Sequence, residues 1–312
     1  AGDHRNALKF IATLAIAACG SATFSQTNWP DKPIRFIVPY TAGGGTDAVT
    51  RHIAEKVTQD TKWPFLVDNK PGAGGNIGLD IVAKAKPDGY TLGMGQTANL
   101  AINPAAMAKM PFDPSKDLVP VALVAEVPTV LVVRTDAPWK TLAEVIKAAK
   151  TKPHELRQAL AGTGTVGHLA GEMLGRKAGF QMLDIPYKGA APAITDLLGG
   201  QTDTMFATPQ AVIGMIKGGK LRALAVTSAK RLAILPDVPT VAESGYPGFE
   251  AVDWKMIVAP AGTPTDVVKR LNAAVDKALA NPAMVKQLAD EGSSPLGGDP
   301  DKVAAYLKAE QA

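Results

Sequence analysis

The sequence predicts an α/β protein of two lobes with a cleft between them, on three observations. Short β-branched runs alternate with glycine-rich loops and apolar-periodic helical stretches from Pro33 onward, the pattern of βαβ units around a parallel sheet. The 312 residues, 46% of them hydrophobic, supply material for roughly two domains, each with its own core. One α/β series breaks off near Glu126-Val127-Pro128 and resumes near Glu250, so a first lobe encloses a complete second one. Two crossing strands are then the only covalent links, which is the plan of a hinge.

Taken in order, residues 1–26 read as a secretory leader: Arg5 and Lys9, an apolar run from Phe10 to Cys19, then small and polar residues from Gly20 to Gln26. That run is far short of the ~18 residues of a membrane span. Cys19 is the only cysteine, so cleavage between Ala22 and Gln26 leaves no disulfide, thiol nucleophile or cysteine metal site. Ile16-Ala17-Ala18-Cys19 also reads as a lipidation box, the less favoured alternative. The first lobe is expected over 27–126 and 252–312, the second over 127–251.

In the first lobe, Ile34 to Val38 is the expected opening strand, and Thr46 the N-cap of a helix running to about Gln59. Phe65 to Val67, a helix from Ile77 to Lys84, and Tyr90 to Met94 follow. The second lobe is expected to run through helix Leu142 to Ala149, strand Leu156 to Ala161 and helix Val166 to Ala178. It goes on through strand Met182 to Pro186, helix Ala190 to Leu198, strand Asp203 to Ala207, a helix through Ile213 to Ile216, and strand Leu221 to Thr227. Glu250 to Ala259 is the expected return strand.

The sharpest motif is Tyr40-Thr41-Ala42-Gly43-Gly44-Gly45-Thr46-Asp47. Three glycines after a strand remove each Cβ that would hold a ligand off the backbone N–H groups, and the following helix offers the positive end of its dipole. A tight turn would need only one or two. No Gly-Lys-Ser/Thr follows, which disfavours a nucleotide P-loop. Gly162-Thr163-Gly164-Thr165-Val166-Gly167 matches a dinucleotide fingerprint, with Asp184 at the ribose distance. In an exported chain it reads better as the mirror of the first glycine loop, facing it across the cleft. The histidines, His4, His52, His154 and His168, show no H-x-x-x-H spacing. His168 stands in the first turn of its helix, where packing or capping outweighs a cleft role. No serine lies in a G-x-S-x-G elbow, and Asp47 is most simply a helix N-terminal charge. Neither catalysis nor a cofactor or metal finds a foothold, and a net charge of +4 without like-charge blocks is no nucleic-acid footprint.

Together, Pro39 to Asp47, Asn69-Lys70-Pro71-Gly72-Ala73-Gly74-Gly75, Pro186-Tyr187-Lys188-Gly189, Asp196-Leu197-Leu198-Gly199-Gly200-Gln201 and Pro236 to Gly245 resemble the Bug family, the extracytoplasmic receptors of tripartite tricarboxylate transporters. The likeness covers essentially everything after Trp29. It implies a type II-like, Venus-flytrap periplasmic binding fold, and a monomeric periplasmic receptor that passes a small carboxylate to membrane transporter subunits. Family ligands range over tricarboxylates, dicarboxylates, nicotinate-like acids and acidic amino acids, with the leaning here towards aspartate. The alternative is an exported α/β enzyme, a hydrolase or dinucleotide-dependent oxidoreductase. Carried over, the family site takes in Tyr40, Thr41, Ala42, Gly43, Gly44 and Gly45, then Gln96, Thr97 and Ala98. The second lobe gives Gly162, Thr163, Gly164, Thr165, Ala207 and Thr208, with Tyr187 and Asp253 as walls. Many relatives have serines where this chain has Gly162 to Thr165, and the added methyls narrow the pocket. None of these positions is Arg or Lys, so backbone N–H groups, hydroxyls and bridging waters are expected to hold the ligand.

Overall fold

The computed structural model describes residues 28–40, 42, 45–102, 110–162 and 165–311. Residues 1–26, where a leader with Cys19 is expected, and Thr41, Gly43, Gly44, Thr163 and Gly164 of the two glycine loops, lie outside the described residues. No helix among the described residues is long and apolar enough to cross a membrane.

The first sheet has six strands: β1 (Ile34–Val38), β2 (Phe65–Asn69), β3 (Thr91–Gln96), β4 (Leu118–Pro128), β10 (Val252–Pro260) and β11 (Ser294–Pro295), in the order β11-β4-β10-β3-β1-β2. The second has five: β5 (Val130–Arg134), β6 (Arg157–Leu160), β7 (Leu183–Pro186), β8 (Thr204–Ala207) and β9 (Leu221–Val226), in the order β7-β6-β8-β5-β9. Around them lie α1 (Gly45–Thr61), α2 (Asn76–Lys84), α3 (Leu142–Thr151), α4 (Val166–Ala178), α5 (Ala190–Leu198) and α6 (Pro209–Lys217). The chain closes with α7 (Thr265–Ala280), α8 (Pro282–Asp290) and α9 (Pro300–Gln311).

The expected parallel sheets are mixed. In the first, β1 is parallel to β2 and β3, whereas β10 is antiparallel to both β3 and β4. In the second, β6 is parallel to β7 and β8, whereas β5 is antiparallel to β8 and β9. The antiparallel members are those that carry the chain between sheets. They arrive from the other lobe rather than over a helical crossover, so the rule that makes βαβ strands parallel does not bind them.

Residue alternation sends side chains to both faces of each sheet. Ile34 and Phe36 join one core and Ile37 another; Leu131 and Val133 face away from Val130 and Val132. Helices cover both faces, with α7 packed on α1 and β4. Thr141 caps α3 by accepting from Glu144 N, and Asn281 caps α8 in the same way. Thr46 does not cap α1. The helix begins at Gly45, and the Thr46 hydroxyl donates to Gln96 Oε1 at 2.8 Å.

The chain passes between the sheets at Thr129 and again between Val226 and Val252, and the two passages are bonded to each other. Thr129 N donates to Thr227 Oγ1 at 2.8 Å, Thr227 N to Thr129 O at 3.0 Å, and Ala251 N to Thr227 O at 2.9 Å. The Thr227 hydroxyl donates to Ala251 O at 2.6 Å. Both threonines are at most 1% exposed, so water replaces none of these partners.

Thr227→Val keeps the volume but strips the Thr129 N–H of its acceptor. It is expected to cost about 1–3 kcal/mol, read as a lowered urea midpoint; an unchanged midpoint refutes the role given to this hydroxyl. Beside the crossing, burial raises the Glu126 carboxyl above its usual range and the Glu250 charge adds to the shift. A raised carboxyl contributes stability below its unfolded pKa, near ~4.3, and loses it as pH rises. Glu126→Gln is therefore expected to stabilise the fold at pH 7 by under ~1 kcal/mol, solvent screening included, and to give no gain near pH 3. Urea titrations at both pH values check this, and an equal gain at both would refute it.

Candidate ligand cleft

A cavity of about 870 Å³ opens between the two sheets and is walled by both. Four helices begin at it: α1 at Gly45 and Thr46, α4 at Thr165 to Gly167, α5 at Gly189 to Ala191, and α6 at Thr208. The first N–H groups of a helix have no partner within it, and its dipole puts partial positive charge there. In α4, α5 and α6 the cap residues Thr165, Gly189 and Thr208 make no side-chain bond to their helix. Thr165 Oγ1 donates instead to Gly162 O at 2.8 Å. These three starts, all from the second lobe, therefore present backbone donors to the cavity without a competing cap.

Local sequence explains how three helices reach one point. Gly189 holds φ 122°, a backbone region that favours glycine, and turns the chain from β7 into α5. Pro209 preorganises the first turn of α6. Gly167 lets α4 press on β8, since a Cβ there would stand 2.5 Å from Phe206 O. The last glycine of the fingerprint-like motif thus does helix–strand packing.

The first-lobe wall is polar and charged. Strands β3 and β10 set Gln96 opposite Lys255. Lys255, 5% exposed, donates from Nζ to Asp253 Oδ2 at 2.9 Å and to Gln96 Oε1 at 3.1 Å. Asp253 Oδ1 accepts from Thr97 N at 3.3 Å, and Thr97 Oγ1 accepts from Trp254 N at 3.0 Å. Tyr40 OH donates to Gly74 O at 3.4 Å and accepts from Asn99 Nδ2. Burial raises its phenol well above the usual value, the Asp253 charge raises it further, and the Gln96 and Asn99 contacts oppose the shift. Tyr40 is therefore a neutral hydroxyl at physiological pH. Glu291 also faces the cavity, its carboxyl raised by burial and by Asp290 against the lowering charges of His52 and Lys255.

Of the positions expected from sequence, Tyr40, Gly45, Gln96, Thr165, Ala207, Thr208 and Asp253 meet at this cavity. Thr97 holds Asp253 from behind it. Ala42 is exposed, Gly162 anchors Thr165, and Ala98 opens a single π turn with its side chain outside the described part. Tyr187 is turned to α5, where its hydroxyl donates to Asp196 Oδ2 at 2.6 Å. That bond, with burial, pushes its pKa up to about 12. Asp47, buried in the first turn of α1, accepts from Arg51 and from Asn69, whose amide also reaches Tyr40 O; it ties the start of α1 to the end of β2. His168 is away from the cavity wall, its Nε2 3.6 Å from Glu172 and 3.5 Å from Asp184 in a part-exposed cluster. A second cavity, of about 770 Å³, lies on the second lobe beside that cluster and collects none of the four helix starts.

Lys255 is a residue the sequence reading missed, and together with Lys188, which also lines the cavity, it corrects the expectation of a cleft without a cation. Its signal was there: Asp253 and Lys255 are two apart in a strand, so placing one on the cleft face places the other.

Residues 49–312 match the family described as the tripartite tricarboxylate transporter family receptor. Three solved structures are similar over nearly the whole chain. The periplasmic binding protein BugD is 38% identical, with 91% of this chain and 95% of that one covered and a TM-score of 0.78. Rpa4515 of R. palustris, solved with adipate, is 36% identical over 91% and 95% at TM-score 0.84. MatC of Rhodopseudomonas palustris, solved with bound malate, is 33% identical over 90% and 97% at TM-score 0.81.

Gly167→Ala tests how the α4 start is seated. Alanine is the better helix former by up to ~1 kcal/mol, but the backbone oxygen at 2.5 Å cannot swing aside as a side chain would. Overpacking of about 1–3 kcal/mol is expected to win, giving a lower urea midpoint together with weaker ligand binding. A raised midpoint would show that α4 is free to move off β8.

Proposed function

The chain belongs to the tripartite tricarboxylate transporter receptor family, and on that premise we propose that it captures a small carboxylate between its lobes and hands it to the membrane subunits of a transporter. Like its relatives, it is a periplasmic solute-binding receptor and not an enzyme. The observation that carries the carboxylate reading is the convergence of four helix N-termini on one cavity, three of them without side-chain caps. Such ends bind anions through backbone N–H groups and dipole together. Relatives solved with adipate and malate support the same class of ligand. In this proposal the ligand is a di- or tricarboxylate or an acidic amino acid such as aspartate, and the protein works as a monomer exported by the leader read at 1–26.

Capture works by closure. The chain crosses between the lobes only at the two bonded passages near Thr129 and Thr227, so small rotations there move whole walls. A ligand bound to second-lobe amides and first-lobe side chains is a bridge that favours the closed arrangement by its differential affinity for it.

Calorimetry with aspartate, glutamate, succinate, malate, adipate and citrate is expected to find at least one that binds at a 1:1 ratio, is recovered unchanged, and shrinks the solution radius of gyration. If none binds, if the bound acid is consumed, or if its uncharged diamide binds as well, the proposal fails.

A further inference from the structure

We infer that Asp253 and Lys255 are the specificity-determining pair of the cleft, and that they select a ligand with an ammonium group beside a carboxylate, an amino acid, over the plain dicarboxylate of the same length. The inference rests on the carboxylate reading above and narrows it.

The two walls differ in kind. The second lobe offers backbone donors at three helix starts, with the Lys188 cation beside the α5 start, and these suit one carboxylate. The first-lobe wall is an ion pair, and an ion pair supplies no net charge against a second carboxylate. Its hydrogen-bonding capacity decides what fits. The Lys255 ammonium has three donors, and Asp253 and Gln96 take two. The Asp253 carboxylate has about four acceptor sites, of which Thr97 N and Lys255 Nζ fill two. Among the described residues, one donor and two acceptor sites remain, side by side. A group with both an acceptor and a donor satisfies both members of the pair. A bare carboxylate satisfies the lysine only, and brings its charge against the unfilled oxygen sites of Asp253. Glu291 on the same cavity adds negative charge and works in the same direction.

The pair cannot evade this choice by moving. Asp253 and Lys255 lie on one face of β10, which is held on one side by β3 and on the other by β4. Gln96, which fixes Lys255, is fixed in turn by Thr46. With side chains only 12% and 6% exposed, the pair is largely shielded from water, so a charge left unpaired once the ligand fills the cleft is costly. The pair therefore meets the ligand preformed.

The test compares ligands that differ by one group. L-Aspartate, L-malate and succinate share a four-carbon dicarboxylate frame and carry an ammonium, a hydroxyl and a hydrogen at the same carbon. Titrated into the wild-type protein, they are expected to bind in that order, aspartate at least ~10-fold tighter than succinate, the scale of a hydrogen bond to a charged group. Asp253→Asn removes the ammonium's acceptor and frees Lys255, so the ratio is expected to fall below one as aspartate weakens and succinate tightens. Glutamate against glutarate repeats the comparison one carbon longer and guards against a length effect. Succinate and glutarate binding as tightly as their amino counterparts would overturn the inference while leaving the carboxylate reading intact. So would an Asp253→Asn protein that keeps the wild-type ratio. If none of the five acids binds while adipate or citrate does, this inference falls and the carboxylate reading stands; if adipate and citrate fail as well, both fall. Should the variant not fold, the wild-type series decides alone.

Discussion

The architecture turns on the place where the chain changes sheets. A backbone leaving one sheet for another loses its ladder partners, and here it does so in the interior, where unpaired N–H and C=O groups are costly. The solution is to make both passages at one spot and let each serve the other. Thr227 closes the set, its hydroxyl accepting from one passage and donating within the other. Because the passages are bonded to each other, the strands on either side have fixed entry points. β4 and β10 must run side by side and antiparallel, and the face from which Asp253 and Lys255 project is set by that pairing. The cleft is the gap that two sheets leave when they are joined at one such point.

Recognition then divides between the lobes by chemistry. The second lobe brings helix starts, whose donors belong to the main chain and are positioned by glycine, proline and close packing on β8. The first brings side chains in a chain of contacts running from Thr46 through Gln96 and Lys255 to Asp253 and Thr97. Gln96 Oε1 is shared by the first helix and the ion pair, so the start of α1 and the charged group beside it are held by one atom.

Sequence made the local structure largely readable. Helices Val166–Ala178 and Ala190–Leu198 run between the residues that periodicity gives them, because caps and glycines bound them on both sides. The glycine loops pointed to Gly45 and Thr165, and the family resemblance to Gln96, Ala207 and Thr208. Strand direction was not readable: alternation reports which side of a residue is buried and is the same whichever way the strand runs. Hence β5 and β10 came out antiparallel. The convergence of four helix starts was equally invisible, since it depends on how two lobes face each other. Lys255 was hidden by ordinary expectation, because a lysine in a strand usually belongs to the solvent side. Only its neighbour two residues back gave it away. Tyr187 shows the opposite limit, a motif residue whose side chain spends its hydroxyl on Asp196.

The backbone donors of the second lobe have a consequence for how such a receptor changes over generations. A substitution alters a side chain and leaves the amide behind it in place, so carboxylate capture by α4, α5 and α6 is insulated from most point mutations. The exceptions are those that disturb the glycines and proline shaping the helix starts. The first lobe has no such insulation, for a single codon change at Gln96, Asp253 or Lys255 rewrites the groups that meet the other end of the ligand. A lineage built on this scaffold can therefore wander from one acid to another through a few positions on β3 and β10, and need not relearn how to hold an acid at all.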